Sequence, residues 1–157
     1  MKLKHLFFCI LLVFSCQPKE DENDLWRQVI ETDRSFNKMA AEKGNSEAFL
    51  YYADEMVIKM QAVNYPIVGK FNMMKMLSDD PWDDFKLSWE PLRAEASGNL
   101  GYTFGSYQLE MKTTDGLRDT IYYGNYVSVW KRKDDGSWRY IVDGGNATPG
   151  PVTLKRD

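Results

Sequence analysis

The stretch from Tyr122 to Gly145 constrains the fold more than any other part of the chain. Tyr122, Tyr123, Tyr126, Val127, Val129 and Trp130 are β-branched or aromatic. Asp134-Asp135-Gly136-Ser137 supplies a turn, and Trp138, Tyr140, Ile141 and Val142 return, which predicts a long β-hairpin. Asp143-Gly144-Gly145-Asn146 is expected to end it. Neither arm alternates between apolar and polar residues, so large side chains stand on both faces; one face meets a core and the other must be covered or used.

Two further strands are expected before the hairpin, from Lys86 to Ala96, with Pro91 as an edge or bulge signal, and from Leu100 to Lys112. The hairpin arms themselves span Thr120 to Lys133 and Ser137 to Asp143. Gly98-Asn99, Asp115-Gly116 and Asp135-Gly136 mark the turns of this antiparallel meander, and Gly101, Gly105 and Gly124 suggest bulges where a sheet bends. Helical spacing precedes the strands. Asp24 is an N-cap candidate for a helix from Leu25 to Lys43 that carries Trp26, Val29, Ile30, Phe36 and Ala40 on one side. Asn45 or Ser46 caps a shorter helix through Ala53, with Phe49 and Tyr52 on one face. Met56 to Met60 reads as a short strand, Tyr65 to Gly69 as a turn and extended piece, and Lys70 to Leu77 as a third helix facing inward with Phe71, Met74 and Leu77. Asp79, Asp80, Asp83 and Asp84 lie in a loop around Trp82, at a spacing that matches no calcium loop, so no metal is expected there. Trp82 reads as a lid over an opening or a plug on the core edge.

Asp33 stands inside the apolar stripe of the first helix, four residues after Val29 and three before Phe36. A carboxylate there must be hydrogen-bonded, paired, or neutral with a raised pKa. It ties the helix to backbone amides or a tyrosine hydroxyl, or it serves a site.

Residues 1–15 resemble an export signal. Lys2 and Lys4 precede the apolar run Leu6 to Phe14, and Val13-Phe14-Ser15-Cys16 resembles the lipobox of bacterial lipoproteins, in which the cysteine is lipidated and becomes the new N-terminus. An ordinary cleaved signal is the alternative; the run is well short of the roughly 20 residues of a membrane span. Residues 16–23 read as an acidic flexible tether and also resemble the lysine-plus-acidic signal that sends some lipoproteins to the outer face of the cell. The expected location is therefore the cell envelope, anchored in the outer membrane through Cys16. Cleavage before Cys16 leaves 142 residues, enough for one domain over residues 24–149 with a tail at 150–157. Losing the two lysines moves the formal charge from −3 to −5, and no basic run remains for nucleic acid. Cys9 leaves with the signal, so no disulfide is expected. The only histidine, His5, leaves as well. Catalysis and metal binding that need histidine are thereby excluded, and any general base must be a carboxylate, lysine or tyrosine.

Helix, helix, short strand, helix, then four long bent strands is the element order of the nuclear transport factor 2-like superfamily. The residues that carry the resemblance are Asp33 with Phe36, the Tyr65 to Gly69 turn, Trp89-Glu90-Pro91, Leu100 to Gly105, Tyr126 with Val129-Trp130-Lys131, Asp135 to Trp138 and Asp143 to Asn146. Together they resemble its SnoaL-like branch, domain of unknown function 4440. The resemblance implies an α+β fold, a cone in which three N-terminal helices pack on a strongly curved antiparallel sheet. It also implies an apolar pocket between helices and sheet, and dimerisation through the outer sheet face. No cofactor is implied.

Three functions follow from the resemblance. The first is a pocket that binds a small apolar or amphipathic molecule without catalysis, walled by Trp89, Tyr107 and Tyr126, oriented by Asp33, with Tyr52 and Asp143 as further contacts. The second is a histidine-independent isomerase, cyclase or dehydratase with Asp33 as base or acid and Tyr107 or Tyr126 as oxyanion donor. The third is an association module whose exposed sheet binds a second copy or another envelope protein.

Overall fold

A computed structural model describes residues 22–112 and 119–154, so the expected signal, most of the tether and the turn at Asp115-Gly116 lie outside the described residues. The elements are α1 (Glu22–Lys43), α2 (Asn45–Tyr52), β1 (Ala53–Lys59), β2 (Ile67–Val68), α3 (Lys70–Asp79), β3 (Lys86–Ser97), β4 (Leu100–Lys112), β5 (Asp119–Arg132) and β6 (Trp138–Thr148). The strands form one sheet in the order β2-β1-β6-β5-β4-β3. It is antiparallel except at the β1–β6 seam, where Ala53 lies beside Tyr140 and Lys59 beside Asp143 in parallel. The long meander was legible from its turns; the parallel seam was not, because it joins segments far apart in sequence.

α1 lies against β3 and α2, and its buried stripe is Leu25, Val29, Asp33, Phe36 and Ala40. Trp26, expected in that stripe, is exposed with the Arg27 guanidinium over its ring. The helix begins at Glu22, so Asp24 is a helical residue bonded to Arg27 at 2.6 Å and not the N-cap. Neither expected side-chain cap holds at α2: Gly44 occupies the cap position, and the Asn45 amide instead donates to the Trp82 and Phe85 carbonyls at 2.6 and 3.1 Å. With the Trp82 N–H on Ser46 Oγ at 2.9 Å and the indole edge-on to Phe49 at 5.3 Å, Trp82 is pinned down as a plug. β1 starts at Ala53, three residues before the expected Met56, directly off α2. α3 turns Met73 and Leu77 inward, while Phe71 and Met74 are 70% and 49% exposed, a rotation from the expected face.

β6 does not stop at Asp143; it continues through Gly144 and Gly145 to Thr148, opposite β5. Hydrogen bonding to the neighbouring strand carries it past residues that by themselves favour a turn. Within the meander the register shifts fall between Pro91 and Arg93 in β3 and at Ile141 in β6, opposite Val129 and Trp130, and a third interrupts the β1–β6 seam between Ala53 and Ile58; none falls at Gly101, Gly105 or Gly124. Gly105 and Gly124 serve instead as floors for rings. Each faces a tyrosine across the β4–β5 ladder, Gly105 beneath Tyr126 and Gly124 beneath Tyr107, and a Cβ on Gly124 would stand 2.1 Å from Tyr107 Cζ. Gly124→Ala is therefore expected to push the Tyr107 ring off the sheet and cost about 1–3 kcal/mol, read as a lower denaturation midpoint at unchanged m-value. An unchanged midpoint would show that the ring is not held there.

The inner face carries Trp130, Tyr140, Thr103 and Ser128, all fully buried, over which Phe36 stacks on Tyr140 at 5.7 Å and meets Trp89 edge-on at 4.7 Å.

Candidate functional site

Between α1, α2 and the inner sheet face lies a cavity of about 200 Å³, opening past Met60, Ala62 and Leu87. Its walls are largely apolar: Phe36, Phe49, Leu87, Trp89, Tyr107 and Tyr126. β3, β4 and β5 each present one of the three expected wall aromatics, and the glycines opposite two of them let the rings lie along the sheet rather than across the cavity.

Its polar end is an ion pair. Lys59 Nζ, at the end of β1, is 2.5 Å from Asp143 Oδ1 on β6, and Ser128 Oγ on β5 donates to Asp143 Oδ2 at 2.6 Å. The side chains are 16% and 8% exposed. The ammonium also lies 5.2 Å from the Phe49 ring centroid and 5.8 Å from that of Trp82, within cation–π range. Asp143 thus has both carboxylate oxygens engaged.

Asp33 does not line the cavity. It is fully buried behind the wall, where Trp89 Nε1 donates to Oδ1 at 2.7 Å and Tyr126 OH to Oδ2 at 2.8 Å. Its partners are side chains, an indole, a phenol and the Thr103 hydroxyl, rather than backbone amides. Burial pushes its pKa up to about 6, against the lowering effect of hydrogen bonds from Thr103, Trp89 and Tyr126. Tyr126 is held protonated, first by burial and then by the Asp33 charge beside it. Tyr107 is raised by burial.

The structure therefore brings Trp89, Tyr107, Tyr126 and Asp143 to one cavity, with Asp33 one bond behind two of them. Tyr52 lies elsewhere, packed on Phe36 at 4.9 Å and on Tyr51 at 5.0 Å beside a separate surface groove. Lys59 and Ser128 were missed by sequence reasoning. A signal existed for both: Lys59 has the inward parity of Val57, and Ser128 stands between Tyr126 and Trp130 on the inward parity of β5. Among the described residues no group of three or more metal-ligating side chains occurs.

No family model matches the chain, and no curated protein does. Solved structures do. A nuclear transport factor 2-like superfamily protein from Salmonella enterica superposes with a TM-score of 0.63 at 11% identity, over 85% of this chain and 95% of that one. The hexachlorocyclohexane dehydrochlorinase LinA-type3 of Novosphingobium barchaimii gives 0.65 at 15%, over 83% and 92%. The CaMKII hub of S. rosetta gives 0.63 at 15%, over 79% and 97%. At such identities the likeness defines the fold: the chain has the nuclear transport factor 2-like α+β architecture, which in these neighbours is found both in a dehydrochlorinase and in a CaMKII hub.

Proposed function

We propose that this is an exported, lipid-anchored protein whose SnoaL-like domain holds a small apolar or amphipathic molecule in the cavity without transforming it. The observation that carries the reading is an apolar cavity with one polar end whose carboxylate is already spent. A carboxylate that acts as a general base must be free and within reach of the substrate. Asp143 is bound to Lys59 and Ser128, and Asp33 is shut behind Trp89 and Tyr126. Both arrangements favour holding over proton transfer, the alternative that would make the protein an isomerase, cyclase or dehydratase. A cavity of about 150 Å³ accepts benzene, so this one suits a single ring with a short substituent. Native mass spectrometry of the protein purified from its own host is expected to retain a small molecule. An empty protein that also gains no thermal stability from any single-ring compound would overturn the reading.

The anchor rests on Lys2, Lys4, the run Leu6 to Phe14 and Cys16. Cys16→Ser is expected to abolish incorporation of radiolabelled fatty acid and move the protein out of the membrane fraction; unchanged labelling would sink the anchor.

Homodimerisation has its own support. Tyr102, Val129, Val142, Ile58 and Val68 are register partners across five strands and form an apolar row on the outer face, with Ile58 and Val68 exposed. Val129→Glu in the middle of that row is expected to convert a dimer to a monomer in light scattering. A wild-type protein that is already monomeric at micromolar concentration removes this reading.

A further inference from the structure

We propose that the occupant of the cavity is a neutral single-ring molecule bearing one strong hydrogen-bond acceptor, such as a ketone or ester carbonyl, which docks on the Lys59 ammonium. The inference rests on the cavity-binding reading above and adds the chemical class to it.

An ammonium carries three N–H donors. Among the described residues the Lys59 ammonium has one acceptor, Asp143, and its other neighbours are the Phe49 and Trp82 rings, which accept no conventional hydrogen bond. Lys59 lines the cavity, so its two remaining donors are left for whatever occupies it. Asp143, the group that would attract a cationic ligand, has one oxygen on Lys59 and the other on Ser128.

Charge then decides between acceptor types. Lys59 is the one cation among the described lining residues, and Asp143 already neutralises it. A second carboxylate, Asp33, stands behind Trp89 and Tyr126, close enough for Asp143 to act on it electrostatically. A carboxylate ligand would place a third negative charge against one lysine in an apolar enclosure, where such repulsion is poorly screened. A carbonyl accepts from one of those N–H groups without adding charge. A hydrocarbon would leave those donors unpaired behind it, which selects against it.

The test is an NMR titration of the protein with three probes of one shape: ethylbenzene, acetophenone and benzoate. The expected result is acetophenone bound about tenfold or more tighter than the other two, with shifts centred on Phe49, Trp89 and Tyr126. In the double variant Lys59→Met with Asp143→Asn, which removes both charges together, acetophenone and ethylbenzene should bind within about twofold of each other. Ethylbenzene binding as tightly as acetophenone to the wild type, or benzoate binding tightest, would overturn the inference and leave the cavity reading standing. If no probe shifts a cavity residue, both fall. The ranking on the wild-type protein decides by itself if the double variant does not fold.

Discussion

Asp33→Leu should destabilise the domain by about 2–6 kcal/mol, while Asp33→Asn should leave it within about 1 kcal/mol of wild type near pH 4, where the native carboxyl is protonated. Leucine strands the Trp89 indole N–H and the Tyr126 hydroxyl in a fully buried site, each at roughly 1–3 kcal/mol. Asparagine keeps both bonds: its oxygen accepts from Trp89, and its amide donates to the Tyr126 oxygen once that hydroxyl turns. In this it resembles the protonated acid, and the pH dependence of the two proteins should differ accordingly.

The native carboxyl is pushed up to about 6 from an ordinary value of 3.8. Between those values the native state holds a proton that the unfolded chain has released. The stability contributed by this group is therefore fully present below pH 3.8 and lost as pH rises through about 6, a fall on the order of 3 kcal/mol. Asp54 works in the opposite sense. Bonds from Lys133 and the Met56 amide outweigh its desolvation and lower its pKa, so it contributes stability that is lost on acidification. Comparing wild type with Asp33→Asn cancels Asp54 and every other group. Urea unfolding of both at about pH 4 and about pH 7.5 should show the wild type losing roughly 2–3 kcal/mol relative to the variant. Parallel pH profiles would show that Asp33 is not the titrating group.

That carboxylate also marks how far the residues alone can be read. An acidic residue in the apolar stripe of α1 is visible from spacing, and so is its need for partners. Its actual partners, Trp89 and Tyr126, lie 56 and 93 residues away and were each singled out for another reason, as wall aromatics. Local periodicity is blind to such pairs, because only strand order and register bring them together. The same blindness explains Lys59. It ends a seven-residue strand, and its partner Asp143 lies across the parallel seam, which no turn signal announces. Turn residues made the meander legible, but the glycines inside it misled: Gly105 and Gly124 resemble bulge signals, yet what demands them is a tyrosine on the neighbouring strand. In α3 three consecutive apolar-compatible phases compete, and the choice of Met73 over Met74 is made by packing under β1 rather than by the helix.

Asp143→Ala is expected to cost about 3–5 kcal/mol, because it leaves the Lys59 ammonium in an apolar cavity with only aromatic faces beside it. The intact pair is a poor source of net stability, since desolvating both ions offsets most of their attraction. The penalty belongs to the stranded charge, and removing that charge as well should relieve it. Lys59→Met combined with Asp143→Asn keeps an acceptor for Ser128 and leaves no ion behind. It should recover at least about 2 kcal/mol relative to the alanine single variant. Chemical denaturation of the single and double variants reads this directly. A double variant no more stable than Asp143→Ala would mean the loss came from packing around Gly144 and Met60 and not from charge. Recovery would mean that the fold keeps a costly ion pair at the one polar end of its cavity where a hydrophobic pair would serve stability as well. A pair retained on those terms is explained by what it binds.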